Sequence, residues 1–235
     1  MTSAFKLHDT VLEVSSEAKA LLPKKIVIKS EVKLLSELIL CILSSQEKYE
    51  AALSMMKVLQ KNNAFQVPKS KSQLKEIRTK ISDLLAMPLK FRYKGKIHFR
   101  RLRFFRKKGQ YILSTIEDIY LSDLTIKEIL RAQSCIYETR ENIISHSSGL
   151  GPKQASMFLR NVGYYADFAV LDKHVITYMR LMGLTQIQTN TFTNLKQYEK
   201  LELELKSYAE TYKVRLWHLD LAIWTTMRTL NIYNA

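Results

Sequence analysis

A chain of 235 residues with 46% hydrophobic side chains can bury a substantial core, so a folded globular protein of one large domain or two small ones is expected. Six glycines and four prolines are too few for a strand-and-turn architecture, and the expected class is all-α. Thirty-seven Lys and Arg against twenty-two Asp and Glu leave a formal charge of +15, which implies a polyanionic partner or an anionic surface.

The N-terminal stretch MTSAFKLHDTVLEV lacks the charged-then-apolar plan of a signal peptide. Residues 31–46, EVKLLSELILCILSSQ, are apolar around nearly the whole helical circumference and predict a helix at the centre of the fold. Their most apolar part, Leu34 to Leu43, contains Ser36 and Glu37 and is too short to span a bilayer. Cys41 and Cys135 are far apart, which indicates neither a disulfide framework nor a cysteine-ligated cluster and points to an intracellular protein. Amphipathic patterns near 47–62 and 72–87 predict two further helices, separated by Asn62, Asn63 and Pro68.

From Lys90 to Lys108, KFRYKGKIHFRRLRFFRKK, ten of nineteen residues are Lys or Arg, none is acidic, and five are Phe or Tyr. Cations neutralise phosphates and aromatic faces stack on bases, so Arg100, Arg101 and Arg106 are candidate DNA contacts. A solvated basic loop whose aromatics belong to the core, or a membrane-surface helix, would also carry such charge; the absence of a clean helical apolar stripe favours nucleic acid over membrane.

Further helical patterns lie at about 126–145, 152–163, 172–182, 194–211 and 213–230. Between the first two stands SSGLGPKQASMFLRN, residues 147–161, in which Gly149 and Gly151 let the backbone turn tightly and Pro152 suits an early helical position. The pattern predicts a helix-hairpin-helix whose free backbone N–H groups suit a phosphate. Nineteen residues after Lys153, ADFAVLDKHV places Asp172 directly behind an apolar stretch that should thread the interior, where it can cap the next helix.

Gly149 to Gly163 reproduce Gly-x-Gly-x-Lys-x-Ala-Ser-x-Phe-Leu-Arg-Asn-x-Gly, and with Val-Leu-Asp-x-His they resemble the helix-hairpin-helix DNA glycosylases that carry a nucleophilic lysine. SELILCILSSQEKYEAALSMMKVL looks like that superfamily's early helix pair, while RFFRKKGQYIL and HLDLAIWTTM look like the compact archaeal-type 8-oxoguanine DNA glycosylase/lyases. The resemblance runs from about residue 30 onward. It implies residues 1–235 as a single glycosylase unit of two packed helical lobes, with an active-site cleft between them and the hairpin and catalytic segment at about 126–182.

By the same resemblance Lys153 is the nucleophile and Asp172 its electrostatic partner, in a bifunctional glycosylase and abasic-site lyase that needs no metal or organic cofactor. A lysine nucleophile must lose its proton before attack, which burial and neighbouring cations favour and a close carboxylate opposes. His174 matches a position near the lesion's phosphate, and Gln46 the position that fills the gap left by the flipped base. Phe104 and Trp224 match the aromatic positions that sandwich the base, and Met157, one turn after Lys153, would line the pocket. The partner implied is double-stranded DNA carrying a damaged base, met by a monomer without a membrane.

The chain departs from the compact enzymes at Asn231-Ile-Tyr-Asn-Ala235, where they often end in a lysine; this bears on which base is removed more than on the chemistry. Two alternatives stand beside excision of 8-oxoguanine. One is a glycosylase for another oxidised or modified base, including modified pyrimidines of foreign DNA. The other is a non-catalytic DNA-binding module, against which the paired Lys153 and Asp172 count.

Overall fold

The computed structural model describes residues 2–21, 30–131, 135–163, 168–189, 192 and 194–233. The chain divides into two units, one formed by Ile28–Leu150 and the other by Met1–Val27 with Gly151–Ala235.

In the first unit, α2 (Glu31–Ser44) is the central element, and its buried residues Leu34, Leu35 and Leu38 to Leu43 cover most of its circumference. Helices α3 (Tyr49–Lys61), α5 (Phe105–Tyr120) and α6 (Ile126–Arg131) pack against it. α4 (Lys71–Ala86) begins at Ser70, whose side chain accepts from Gln73 N, and lays its apolar stripe on α5. α7 (Ile136–Ser145) closes this unit's order.

One departure from the all-helical expectation lies in the basic run. Strands β1 (Leu89–Tyr93) and β2 (Lys96–Arg100) form an antiparallel hairpin. Its two-residue turn, Lys94 and Gly95, has φ of 50° and 76°, the doubly left-handed geometry that suits the twist of a tight hairpin. Leu89 and Phe91 are buried, with β1 on α3, whereas Lys90 and Arg92 are exposed. Period-two burial over five residues gives no helical stripe, which is why the segment pairs instead of coiling.

In the second unit, α1 (Thr2–Leu21) packs on α11 (Leu216–Tyr233), and α9 (Lys173–Leu181) lies on α11 from another side. α8 (Pro152–Asn161) and α10 (Leu195–Thr211) complete it. Its core joins Val11 of α1 to Val175 and Met179 of α9, Leu201 and Leu205 of α10, and Leu219 and Ile223 of α11. The imidazole of His8 lies 3.1 Å from the Tyr178 hydroxyl and 2.8 Å from that of Tyr208, which gives this buried polar group two partners. No described helix is long and apolar enough to cross a membrane.

Candidate active site

The chain leaves α7 through a turn in which Leu150 N donates to Ser147 O at 3.2 Å. Gly149 has φ of +75°, and a Cβ there would stand 2.1 Å from the Tyr111 ring, so both backbone and space require glycine. Gly151 differs. Its φ is −91°, and an added Cβ would meet its nearest atoms at 3.7 and 3.8 Å, an ordinary contact. The tight turn assigned to the glycine pair therefore rests on Gly149, while Gly151 is the extended N-cap of α8.

Pro152 occupies the first turn of α8, where its missing N–H is no loss. Lys153 follows it and is half-buried; Met157, one turn further on the same face, is half-buried too.

Phe168, Ala169, Val170 and Leu171 are buried, as the apolar run predicts. Side chains of α10 hold this segment in place. The Tyr198 hydroxyl donates to Ala169 O at 2.7 Å and accepts from Leu171 N at 3.0 Å, while Glu202 Oε1 accepts from Ala169 N at 2.9 Å. Asp172 thus arrives at a fixed place as the N-cap of α9, its Oδ1 accepting from His174 N at 2.8 Å and Val175 N at 3.1 Å. Both capping bonds end on one oxygen, so capping engages half of the carboxylate.

Charges converge on this point. Burial pushes the His174 imidazole below its ordinary value; the Asp172 charge opposes that shift, and Lys173, Arg228 and Lys153 reinforce it. Burial lifts Asp220 of α11 to about 7, against the pull of the nearby Arg160 and the Val170 backbone, with the Asp172 charge adding to the rise and Lys153 opposing it. Arg160 Nη1 donates to Asp220 Oδ2 at 2.7 Å, a hydrogen bond that ties α8 to α11 and becomes an ion pair once the carboxyl ionises. Lys153, Asp172, His174 and Asp220 are therefore electrostatic neighbours on three helices. Trp224 is half-buried on α11, with the Arg228 guanidinium 4.7 Å from its ring centre.

The remaining predicted residues lie in the first unit. Gln46, in the turn after α2, is exposed with φ of +52°. Phe104, at the N-cap of α5, is 59% exposed with φ of +54°. Arg101 and Arg106 are exposed, with their guanidinium groups 5.7 and 5.6 Å from the centre of the Phe105 ring. Arg100 is engaged within the protein: its two terminal nitrogens donate to the Glu47 carboxylate at 2.6 and 3.0 Å. The side chains of residues 231–235, where the sequence departs from the compact enzymes, lie outside the described residues. Among the described residues, no group of three or more His, Cys, Asp or Glu could hold a metal ion.

Sequence reasoning missed Tyr198, Glu202, Arg160 and Asp220. Their one visible signal is a polar residue inside an apolar helical stripe, as in Leu219-Asp220 with Ala222 and Ile223, or Tyr198 and Leu201-Glu202 with Leu205.

A helical protein whose glycine turn delivers a lysine to the start of one helix, and whose buried apolar segment delivers an aspartate to the start of the next, has the helix-hairpin-helix glycosylase fold. The profile of the family described as 8-oxoguanine DNA glycosylase matches residues 74–214, more than half of the chain. The chain belongs to that family. A protein of Saccharolobus islandicus named 8-oxoguanine DNA glycosylase/AP lyase is 36% identical over 126 residues, 53% of this chain and 58% of the relative. One of the same name from Fusobacterium nucleatum is 28% identical over 124 residues, 52% of this chain and 57% of the relative. The chain thus spans a little over half the length of these curated relatives.

Among solved structures, the 8-oxoguanine DNA glycosylase of Thermotoga maritima superposes with a TM-score of 0.69 at 24% identity, covering 94% of this chain and 95% of that one. The Methanocaldococcus jannaschii 8-oxoguanine glycosylase/lyase, crystallised with a 15mer DNA containing 8-oxoguanine, gives 0.62 at 23% identity over 93% and 87%. At this identity the two structures establish the fold.

Proposed function

We propose that this chain is a bifunctional DNA glycosylase and abasic-site lyase that removes 8-oxoguanine from double-stranded DNA. The observation that carries this reading is the placement of Lys153 in the first turn of α8 and of Asp172 at the N-cap of α9, with the charges of both acting on His174, in a chain of +15 charge. The names of the curated relatives support the same activity and the same base.

The target nucleotide must leave the stack before its sugar can be reached. The neutral amine of Lys153 attacks C1′ as the bond to the base breaks; the base departs with the bonding electrons and takes up a proton. Positive charge grows on the sugar, and the Asp172 carboxylate, fixed by its two capping bonds, stabilises it without reorganising. The amine then loses its proton as the sugar ring opens to a Schiff base. Loss of a C2′ proton expels the 3′ phosphate and nicks the strand, and water returns the lysine. His174, held towards its neutral form, sits beside these groups as a hydrogen-bonding partner for the lesion's phosphate. Gly149 and the open start of α8 offer backbone N–H groups to DNA. Gln46 fills the vacated stack, and Phe104, Met157 and Trp224 each offer the base a surface. Arg101 and Arg106 are exposed cations for phosphates. The chain acts as a monomer.

A panel of duplexes, each with one lesion and read for both base release and strand nicking, tests the assignment. Release should be fastest from 8-oxoguanine and nicking should accompany it. Faster release of an oxidised or modified pyrimidine would move the specificity, and no release from any lesion would leave a DNA-binding module.

A further inference from the structure

Among the five exposed non-glycine residues of the first unit with left-handed backbone are Gln46, with φ of +52°, and Phe104, with φ of +54°. Such conformations are strained and persist only where the surroundings enforce them. Glycine would remove that strain at either place.

One carboxylate meets both. The side chain of Glu47, the residue after Gln46, is 1% exposed. Its Oε1 accepts from Arg100 Nη2 at 2.6 Å and from Lys48 N at 2.8 Å. Its Oε2 accepts from Arg100 Nη1 at 3.0 Å and from Arg103 N at 2.8 Å. Arg103 immediately precedes Phe104, so a single group, bonded on both oxygens, fixes the turn that carries Gln46 and the turn that carries Phe104. Burial alone would raise its pKa, but the Arg100 hydrogen bond and the Arg103 and Lys48 N–H groups pull it down to about 2. Glu47 is therefore an anion at every physiological pH.

A second buried charge supports the same turn. Lys108 is 3% exposed, and its Nζ donates to Leu43 O at 2.8 Å, an end carbonyl of α2 that has no partner further along the helix. Joining two helices requires neither buried ion, and burying ions is costly unless each is fully bonded. The basic run thus holds two cations turned inward onto the α2–α3 turn, alongside cations turned outward.

We propose that Glu47, braced by Arg100 and Lys108, is a positioning residue that presets Gln46 for entry into the duplex and Phe104 for stacking on the extruded base. The proposal rests on the glycosylase reading above. Pre-set side chains avoid an ordering cost at the moment the base leaves the stack, and small misplacements at such a site are felt in rate.

The test is a mutant cycle on an 8-oxoguanine duplex, read in single turnovers, with strand cleavage at a preformed abasic site in single-stranded DNA as the second readout. Glu47→Gln keeps size and shape and removes the charge. It should slow base release by about 10- to 100-fold, while abasic cleavage, which needs neither an opened stack nor a base to hold, stays at the wild-type rate. In a Gln46→Ala/Phe104→Ala background, adding Glu47→Gln should change nothing further, because its effect passes through those two side chains. Should Glu47→Gln fail to fold, Arg100→Gln, which leaves both backbone bonds to Glu47, should show a smaller loss with the same non-additivity. Wild-type release by either variant, equal loss of both readouts, or full additivity in the double-alanine background would overturn the proposal while leaving the glycosylase reading intact. A wild-type chain that releases no base would remove both.

Discussion

Under the proposed function Asp172 has two tasks, capping and charge stabilisation, that one atom separates. Asparagine caps a helix about as well as aspartate, so Asp172→Asn keeps the bonds to His174 N and Val175 N and removes only the charge. Base release should then slow by about 10²- to 10³-fold, the usual cost of a lost transition-state partner, with a melting temperature close to wild type. A single-turnover rate beside a thermal melt reads both, and a near-normal rate would leave Asp172 as a cap alone. Asp220 makes a pH prediction of opposite character. Its carboxyl is raised in the fold to about 7, mainly by burial, from the ordinary 3.8. Between those values the folded state binds more protons than the unfolded one, so this group makes stability fall as pH rises from about 4 to 7. Asp220→Asn should remove that slope, seen as a wild-type minus variant melting difference that drifts downward across the window. A constant difference would contradict the assigned environment. The places of Lys153 and Asp172 at the starts of α8 and α9 were legible in the sequence because their spacing and neighbours form a pattern; the burial of Asp220 and Glu47 was not, because only burial distinguishes a core carboxylate from one in water.

At the scale of elements, the basic segment is the informative case. Composition predicted helix throughout, and the long periodic segments fold so: 31–46 becomes α2, 194–211 becomes α10, and 213–230 becomes α11, with ends shifted by a few residues. The five-residue strands β1 and β2 were missed because alternation so short competes poorly with a charge run, and Lys-Gly is a weaker turn signal than Asn-Gly. α1 was missed because its stretch was read only for targeting, and α5 because the charge run masked its start. The segment read as one helix at 126–145 holds two, α6 and α7, with residues 132–134 outside the described set. The fold also sorts the cations: Arg100 and Lys108 face inward, while Arg101 and Arg106 face solvent. Replacing Arg101 and Arg106 by Gln should therefore shallow the salt dependence of duplex binding by about one unit per lost phosphate contact. Fluorescence anisotropy across a salt series measures it, and an unchanged slope would mean that these two arginines do not touch DNA.

For the molecule as a whole, the proposed function spreads the DNA grip over the many cations behind the +15 charge and concentrates the chemistry in one amine. Binding and bond-breaking should therefore come apart: a chain that cannot react should still hold DNA. The central claim is that Lys153 becomes covalently joined to the deoxyribose. Borohydride reduction during turnover on an 8-oxoguanine duplex, followed by proteolysis and mass spectrometry of the trapped peptide, tests it most directly. The account predicts one adduct, on Lys153, absent from Lys153→Gln while that variant's duplex affinity stays near wild type. An adduct on any other residue, or trapping that survives Lys153→Gln, would contradict it.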